Sequence, residues 1–206
     1  LATEAAKRIG AKVLLVRTGA LYHDIGKMLH PECFIENQSG VNPLQSMPYT
    51  EAAKVIISHV EDGERIARKH HLPELIVHFI RSHHGTSVTR YFYNTAINAA
   101  IDQGKTAADI HKEDYAYPGP KPSTKEAAIL MMADAIEARS RTLNEINEQA
   151  ISDMVDQMID TQVADGQFSD TVLSFKDLED IRVVFKQKLI EINHHRITYP
   201  TIENNK

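Results

Sequence analysis

Apolar residues return at three- and four-residue intervals through segment after segment of this chain and nowhere settle into the period-two alternation of a strand. That periodicity confines the chain to helix-on-helix packing, so the expected fold class is all-α. Residues 1–9 read as a helix stopped by Gly10. A second helix is expected over 11–28, with Val13, Leu14, Val16, Ala20, Leu21 and Ile25 as its apolar face. Pro31, Gly40, Pro43 and Pro48 then punctuate a long loop over 30–49, a length that compact domains tend to reserve for function. Thr50 is positioned to cap the next helix, which carries Ala53, Val55, Ile56 and Ile57 and either ends near His59 or kinks at Gly63 on the way to His70.

Pro73 suits the first turn of a short helix with Leu75, Ile76, Phe79 and Ile80 turned inward and Gly85 just beyond its end. Residues 88–103 are helical in pattern, and 104–124 form a second long connection containing the rigid run Pro118, Gly119, Pro120, Lys121, Pro122. Ser123 with Glu126 makes a capping box opening a helix over 125–143. A further helix spans about 144–163 and breaks at 165–170. Ser174 with Asp177 starts the last one, which runs to His195, and the tail after Ile197 is expected to be extended or disordered.

Several classes of function are excluded before any motif is considered. A formal charge of −5 does not suit a binder of nucleic-acid polymers, whose affinity comes from clustered Lys and Arg. A lone Cys33 cannot form an internal disulfide and reads as an incidental loop thiol in a reducing compartment. The best apolar run, residues 127–133, is far short of a membrane span. The chain starts at Leu1, already in helical pattern and without a signal peptide, as an excised piece of a larger protein would. Eleven His against no Trp is the unusual entry in the composition, and imidazoles at that density suit a multi-metal site if they converge.

Four elements carry chemistry: His23 and Asp24 in His-Asp-Ile-Gly-Lys, then His59, then the pair His83 and His84 before Gly85, then Asp134 in Met-Ala-Asp-Ala. Adjacent His and Asp on a helix point about 100° apart, so the imidazole can hold one cation while the carboxylate bridges two. Mixed nitrogen and oxygen donors suit Fe, Mn, Co or Zn over Ca or Mg. An isolated His-Asp dipeptide carries little information; the ordered set is what points to a metal site. His70, His71, His194 and His195 sit at basic helix ends, and His30, His78 and His111 have no partner pattern, so none of these is assigned to metal.

The stretches GALYHDIGKM, FIENQ, SHVEDG, SHHGTS with YFY after it, and YPGPKPSTKEAAILMMADAIEA resemble the HD phosphohydrolases. Within them the resemblance is to the cytoplasmic domain of the seven-transmembrane-receptor HD proteins, the PgpH-type cyclic di-AMP phosphodiesterases, and it covers nearly the whole chain. It implies a single HD-domain helical bundle over 1–206, with a metal-binding core to about residue 143 and additional C-terminal helices after it. It further implies two divalent transition-metal ions, Fe or Mn first and Co or Zn as alternatives. His23, Asp24 and Asp134 would serve one ion. Asp24 as bridge, with His59, His83 and His84, would serve the other. The family places one more metal-binding His upstream of the residues resembling Leu1, Ala2, Glu4 and Ala5, so the first ion's shell is one ligand short within this sequence, a gap that water or buffer could fill.

The implied reaction is two-metal hydroxide attack on cyclic di-AMP, opening it to linear 5′-pApA. Asp24 and Lys27 are the expected catalytic residues, with Lys27, one turn after His23, also meeting a substrate phosphate. Arg141, seven residues past Asp134, could clamp the second phosphate, and the Tyr91, Phe92, Tyr93 run, Tyr91 and Tyr93 above all, could stack on adenine. Two other readings share these ligands: another HD nucleotide phosphohydrolase, and a regulatory module that binds the dinucleotide without cutting it. The resemblance places the chain in the cytoplasmic part of a bacterial integral membrane protein, touching membrane only through segments outside this sequence. The C-terminal helical pair could close the bundle, pair two copies into a homodimer or face the membrane-proximal segment.

Overall fold

The computed structural model describes residues 1–38, 40, 42–143 and 145–194. Among them are eight α-helices: α1 (Ala2–Arg8), α2 (Val13–Tyr22), α3 (Tyr49–Lys69), α4 (Glu74–Ser82), α5 (Arg90–Asp102), α6 (Lys125–Ser140), α7 (Glu148–Ala164) and α8 (Phe175–His194). The described residues form no named strand, only an isolated bridge between Val88 and Ala116, so the all-α reading holds. No described helix is long and apolar enough to cross a membrane.

Helix α6 is the axis of the molecule. Residues 127–133 are buried without interruption, and Ile136 is buried one turn later, so this helix is apolar on every side and must be enclosed. The enclosure comes from both ends of the chain: Ala5 and Ala6 of α1, Val16 of α2, Ile151, Val155 and Ile159 of α7, and Ile181 and Phe185 of α8 form one cluster with Ile129, Met132 and Ile136. Each large side chain buried there contributes roughly 1.5–3 kcal/mol. The C-terminal pair therefore completes the core, and an ion pair between Arg8 and Asp180 (2.8 Å) ties α1 to α8 outside it.

Helix ends follow their caps, with some displacement. Thr124, not Ser123, caps α6 by accepting from the Ala127 amide, and Glu126 instead accepts from the distant Lys12 amide at 2.9 Å. Thr50 lies inside α3, whose N-cap is Pro48, and α3 runs unbroken through Gly63. Val88 is engaged in the bridge to Ala116, and α5 begins at Arg90. The expected box at the last helix is present: the Ser174 amide and hydroxyl donate to Asp177 Oδ2 (2.9 and 2.8 Å), and the Asp177 amide returns to Ser174 Oγ (3.0 Å). The end of α8 beyond His194, and the expectation for the tail after Ile197, fall outside the described residues.

Two apolar faces are corrected. On α2, Val13, Leu14 and Leu21 are exposed, and the buried stripe runs instead through Val16 and Gly19, flanked by half-buried Leu15 and Ala20. On α4, Leu75 is exposed while Ile76, Phe79 and Ile80 are buried. The loop over 30–49 is irregular as expected but contains three short 3-10 turns, Pro31–Cys33, Ile35–Asn37 and Pro43–Ser46. Cys33 is not an incidental thiol: it is buried with Phe34, Leu44 and Ala52. Burial holds its thiol above the ordinary value.

The box at α8 makes an acid-side prediction. The Lys125 ammonium, with the Ser174 donors, lowers the Asp177 carboxyl from 3.8 to about 2. A depressed folded value means that this stabilisation is present above 3.8 and lost as the pH falls through 2. The difference in unfolding free energy between wild type and Asp177→Asn should therefore shrink as chemical denaturation is moved from pH 5 to pH 2. A constant difference would contradict it.

Candidate metal centre

Helix α2 does not continue to residue 28. It ends at Tyr22, and the chain turns into a 3-10 segment over Ile25–Leu29, leaving His23 at the C-cap and Asp24 in the break. The break is where Gly26 lies flat against α3: a Cβ there would sit 1.8 Å from the His59 carbonyl oxygen and 2.6 Å from the Gly63 nitrogen. That backbone-to-backbone approach carries Asp24 to His59. His83 follows the last residue of α4, His84 the next, and Asp134 projects from the middle of α6.

The six residues meet. Asp24 Oδ2 is 3.1 Å from His23 Nε2, while Asp24 Oδ1 is 3.4 Å from His59 Nε2 and 3.6 Å from His83 Nε2. Asp134 Oδ1 is 3.5 Å from His23 Nε2, and its Oδ2 is 3.9 Å from His84 Nδ1. The donor atoms fall into two groups, His59 with His83 and His84, and His23 with Asp24 and Asp134, each compact enough to hold an ion.

Three imidazoles are oriented the same way. His23, His59 and His83 each direct Nδ1 at the carbonyl three residues earlier, Ala20, Ile56 and Ile80, at 2.9, 2.6 and 2.7 Å. A carbonyl only accepts, so Nδ1 carries a proton and Nε2 is turned toward the cluster, the arrangement that lets an imidazole take a cation once Nε2 is unprotonated. The Nε2 atoms of His59 and His83 stand 3.1 Å apart. Two nitrogens sharing an ion at about 2.1 Å stand about 3.0–3.4 Å apart, so this pair is spaced for a shared cation. His23 Nε2 and Asp24 Oδ1 are buried with no hydrogen-bond partner, a costly state that an ion would relieve. The residues fit a pair of divalent ions.

Charge within the cluster is already separated. Burial works against a charge on His23, but the Asp134 and Asp24 carboxylates beside it outweigh burial and raise it to about 10. Burial likewise opposes ionisation of Asp24, yet the neighbouring His23 and His83 hold it well below the carboxylate range. Burial, then His83, lowers His59 to about 4, and burial with His83 and His59 holds His84 well below its ordinary value.

The expected substrate residues are placed differently from one another. Lys27 lies at the cluster, with its ammonium 2.8 Å from Asp24 Oδ2, 2.7 Å from Glu36 Oε1 and 5.0 Å above the Phe34 ring. Arg141 is held by Glu137 at 2.7 Å and is exposed, though it still feels the charges of Glu36 and Asp134. Tyr91 is exposed and meets Phe92 edge-on, and Tyr93 packs on Tyr115; neither ring contact reaches an imidazole. The aromatics that do are Phe34, edge-on to His59 at 5.6 Å, and Tyr117, stacked on His84 at 4.2 Å. Tyr117 had a signal in the sequence, since it heads the rigid Pro118–Pro122 run; Glu36 likewise lies within FIENQ. Gln167 had none: it is buried in the turn between α7 and α8 and accepts from the Thr86 amide at 2.9 Å, bracing the turn that carries His83 and His84. Among the unassigned histidines, His78 meets the Ser123 hydroxyl at 3.2 Å, away from the cluster.

The chain has relatives among known proteins. The HD-domain family model matches residues 1–139. The chain is 39% identical over 201 residues to the cyclic-di-AMP phosphodiesterase PgpH of Listeria monocytogenes serotype 1/2a (strain 10403S), and 40% identical over 201 residues to that of Bacillus subtilis (strain 168). Each alignment takes in 97% of this chain but only 27% of the relative, so the chain spans about a quarter of their length. Among solved structures it is similar to the HD domain of L. monocytogenes phosphodiesterase PgpH in complex with cyclic-di-AMP, with a TM-score of 0.87 and 38% identity over 96% of this chain and 89% of that one. A second structure of the same HD domain aligns with a TM-score of 0.84 and 36% identity, over 94% of this chain and 88% of that one.

Proposed function

Because this chain belongs to the HD-domain family, we propose that it is a metal-dependent phosphodiesterase that hydrolyses cyclic di-AMP to linear 5′-pApA. The observation that carries the reading is the pair of adjoining donor groups linked by Asp24, with His23 Nε2 and Asp24 Oδ1 buried and without a hydrogen-bond partner. The names of the two curated relatives, and the ligand in the solved HD domain, support the substrate.

His59, His83 and His84 would hold one ion and His23 and Asp134 the other, with Asp24 giving one oxygen to each group. Fe or Mn suits this mixture of imidazole and carboxylate best, with Co or Zn as alternatives. When bound, such a pair lowers the pKa of a water between the ions toward neutrality and neutralises the phosphodiester oxygens. Asp24 fixes the spacing of the two groups, and Lys27, fastened to Asp24, offers an ammonium to a phosphate arriving at the cluster. Arg141 on the same side of α6, and Tyr91 or Tyr93 for adenine, are the further substrate contacts of this reading. The chain would act as one domain, with the metal core to about residue 143 and a helical extension after it, in the cytoplasmic part of a longer membrane protein.

Metal analysis with product chromatography tests this: two ions per chain and 5′-pApA from cyclic di-AMP are expected. Tight binding without product would favour a regulatory module, and turnover of other nucleotides alone would favour a different hydrolase. Metal removal gives a second prediction. With free Mn²⁺ at 100 times its dissociation constant, each ion adds about 2.7 kcal/mol to stability. A chelator should therefore lower the melting temperature by several degrees, and Mn²⁺ should restore it; no shift would count against a folded-state metal site.

A further inference from the structure

His84 is the odd member of the imidazole set. His23, His59 and His83 are each locked by a backbone carbonyl through Nδ1, whereas the His84 ring makes no hydrogen bond among the described residues, its Nδ1 lying 3.9 Å from Asp134 Oδ2. Its ring is held by faces instead. Tyr117 lies parallel to it, 4.2 Å away with 26° between the planes, while His83 tilts against it at 4.1 Å and His59 stands edge-on at 5.2 Å.

The segment that delivers Tyr117 is anchored to the same turn. The Tyr117 amide donates to the Ser87 carbonyl at 2.9 Å, and the Thr89 amide donates to the Tyr115 carbonyl at 2.8 Å, around the Val88–Ala116 bridge. Tyr117 is only 7% exposed, so its ring has little room to leave. Burial also holds the phenol above its ordinary value, keeping it neutral against Asp134 and Asp24.

We infer that Tyr117 is a positioning residue for His84: its ring face sets the imidazole plane that a carbonyl sets for the other three, and so prepares the His59, His83, His84 group for its ion. The inference rests on the two-ion reading above. It also gives the connection before α6 a role, that of bringing an aromatic wall to the one ligand the helices leave unfastened.

Co²⁺ titration of the metal-free protein, followed by visible absorption and calorimetry, tests it alongside Tyr117→Phe, Tyr117→Leu and Tyr117→Met. Wild type and Tyr117→Phe should bind two ions alike. Tyr117→Leu and Tyr117→Met should keep one ion at wild-type affinity and bind the other about 10- to 100-fold more weakly. Equal binding of both ions by a folded Leu or Met variant would overturn the proposal, as would a Phe variant as impaired as Leu. Wild type binding fewer than two ions would sink the two-ion reading and this proposal with it. A measurement on unaltered protein guards against variants that fail to fold: a His84 ring proton in the metal-free protein should show an upfield ring-current shift that Tyr117→Phe retains, and its absence overturns the stack.

Discussion

Asp24→Asn should lower turnover of cyclic di-AMP by on the order of 10³-fold or more and leave the protein folded but unable to retain two ions. The amide keeps the shape of the carboxylate and removes a charge that reaches both donor groups: Asp24 Oδ2 lies 3.1 Å from His23, and Oδ1 lies 3.4 and 3.6 Å from His59 and His83. A readout independent of activity comes from the metal-free protein. His23 stands at about 10 in part because of Asp24, so its folded value lies above the ordinary 6.5. Its contribution to stability is accordingly fully present below pH 6.5 and lost as the pH rises through 10. In Asp24→Asn, NMR titration should find His23 shifted downward and that window narrowed. Retention of two ions with a tenth or more of the activity would refute the shared-carboxylate assignment.

The second large effect is expected at Gly26→Ala. Steric relief is usually found by moving a side chain, but the atoms in the way here are the His59 carbonyl oxygen at 1.8 Å and the Gly63 nitrogen at 2.6 Å, both main chain of α3. The 3-10 segment Ile25–Leu29 must back away, and Asp24 at its head moves with it. We expect a loss of about 3–5 kcal/mol, at the upper end for single substitutions, or roughly 10–15 °C in melting temperature for a chain of this size. Metal affinity should fall as well, because the substitution separates Asp24 from His59. A variant melting within about 3 °C of wild type would show that the segment does not need this closeness.

The convergence of the six candidate residues was legible because metal chemistry restricts which side chains can serve and the chain presents them in a recognisable order. Which side of a helix is buried was less legible. Large apolar residues dominate any reading of α2, yet Leu14 and Leu21 are exposed while Gly19 is buried under Phe79, whose ring would lie 2.6 Å from a Cβ there. Close packing selects small residues where helices touch, and hydrophobicity alone does not weigh them. The caps of α6 failed by one residue because Ser123 and Thr124 are chemically equivalent candidates, and the choice turns on Glu126 being taken by Lys12 from across the chain. Tyr117 on His84 and Gln167 on Thr86 are distant in sequence from the groups they support, separated by 81 positions in the second case, and nothing local announces such pairings.

The carbonyls that aim His23, His59 and His83 belong to Ala20, Ile56 and Ile80, and a main-chain oxygen is supplied by any amino acid that keeps the helix intact. Mutation at those three positions can alter packing without ever deleting the partner of an imidazole. Detaching one of these rings therefore takes a change that breaks the helix itself, not a change of side chain at the acceptor position.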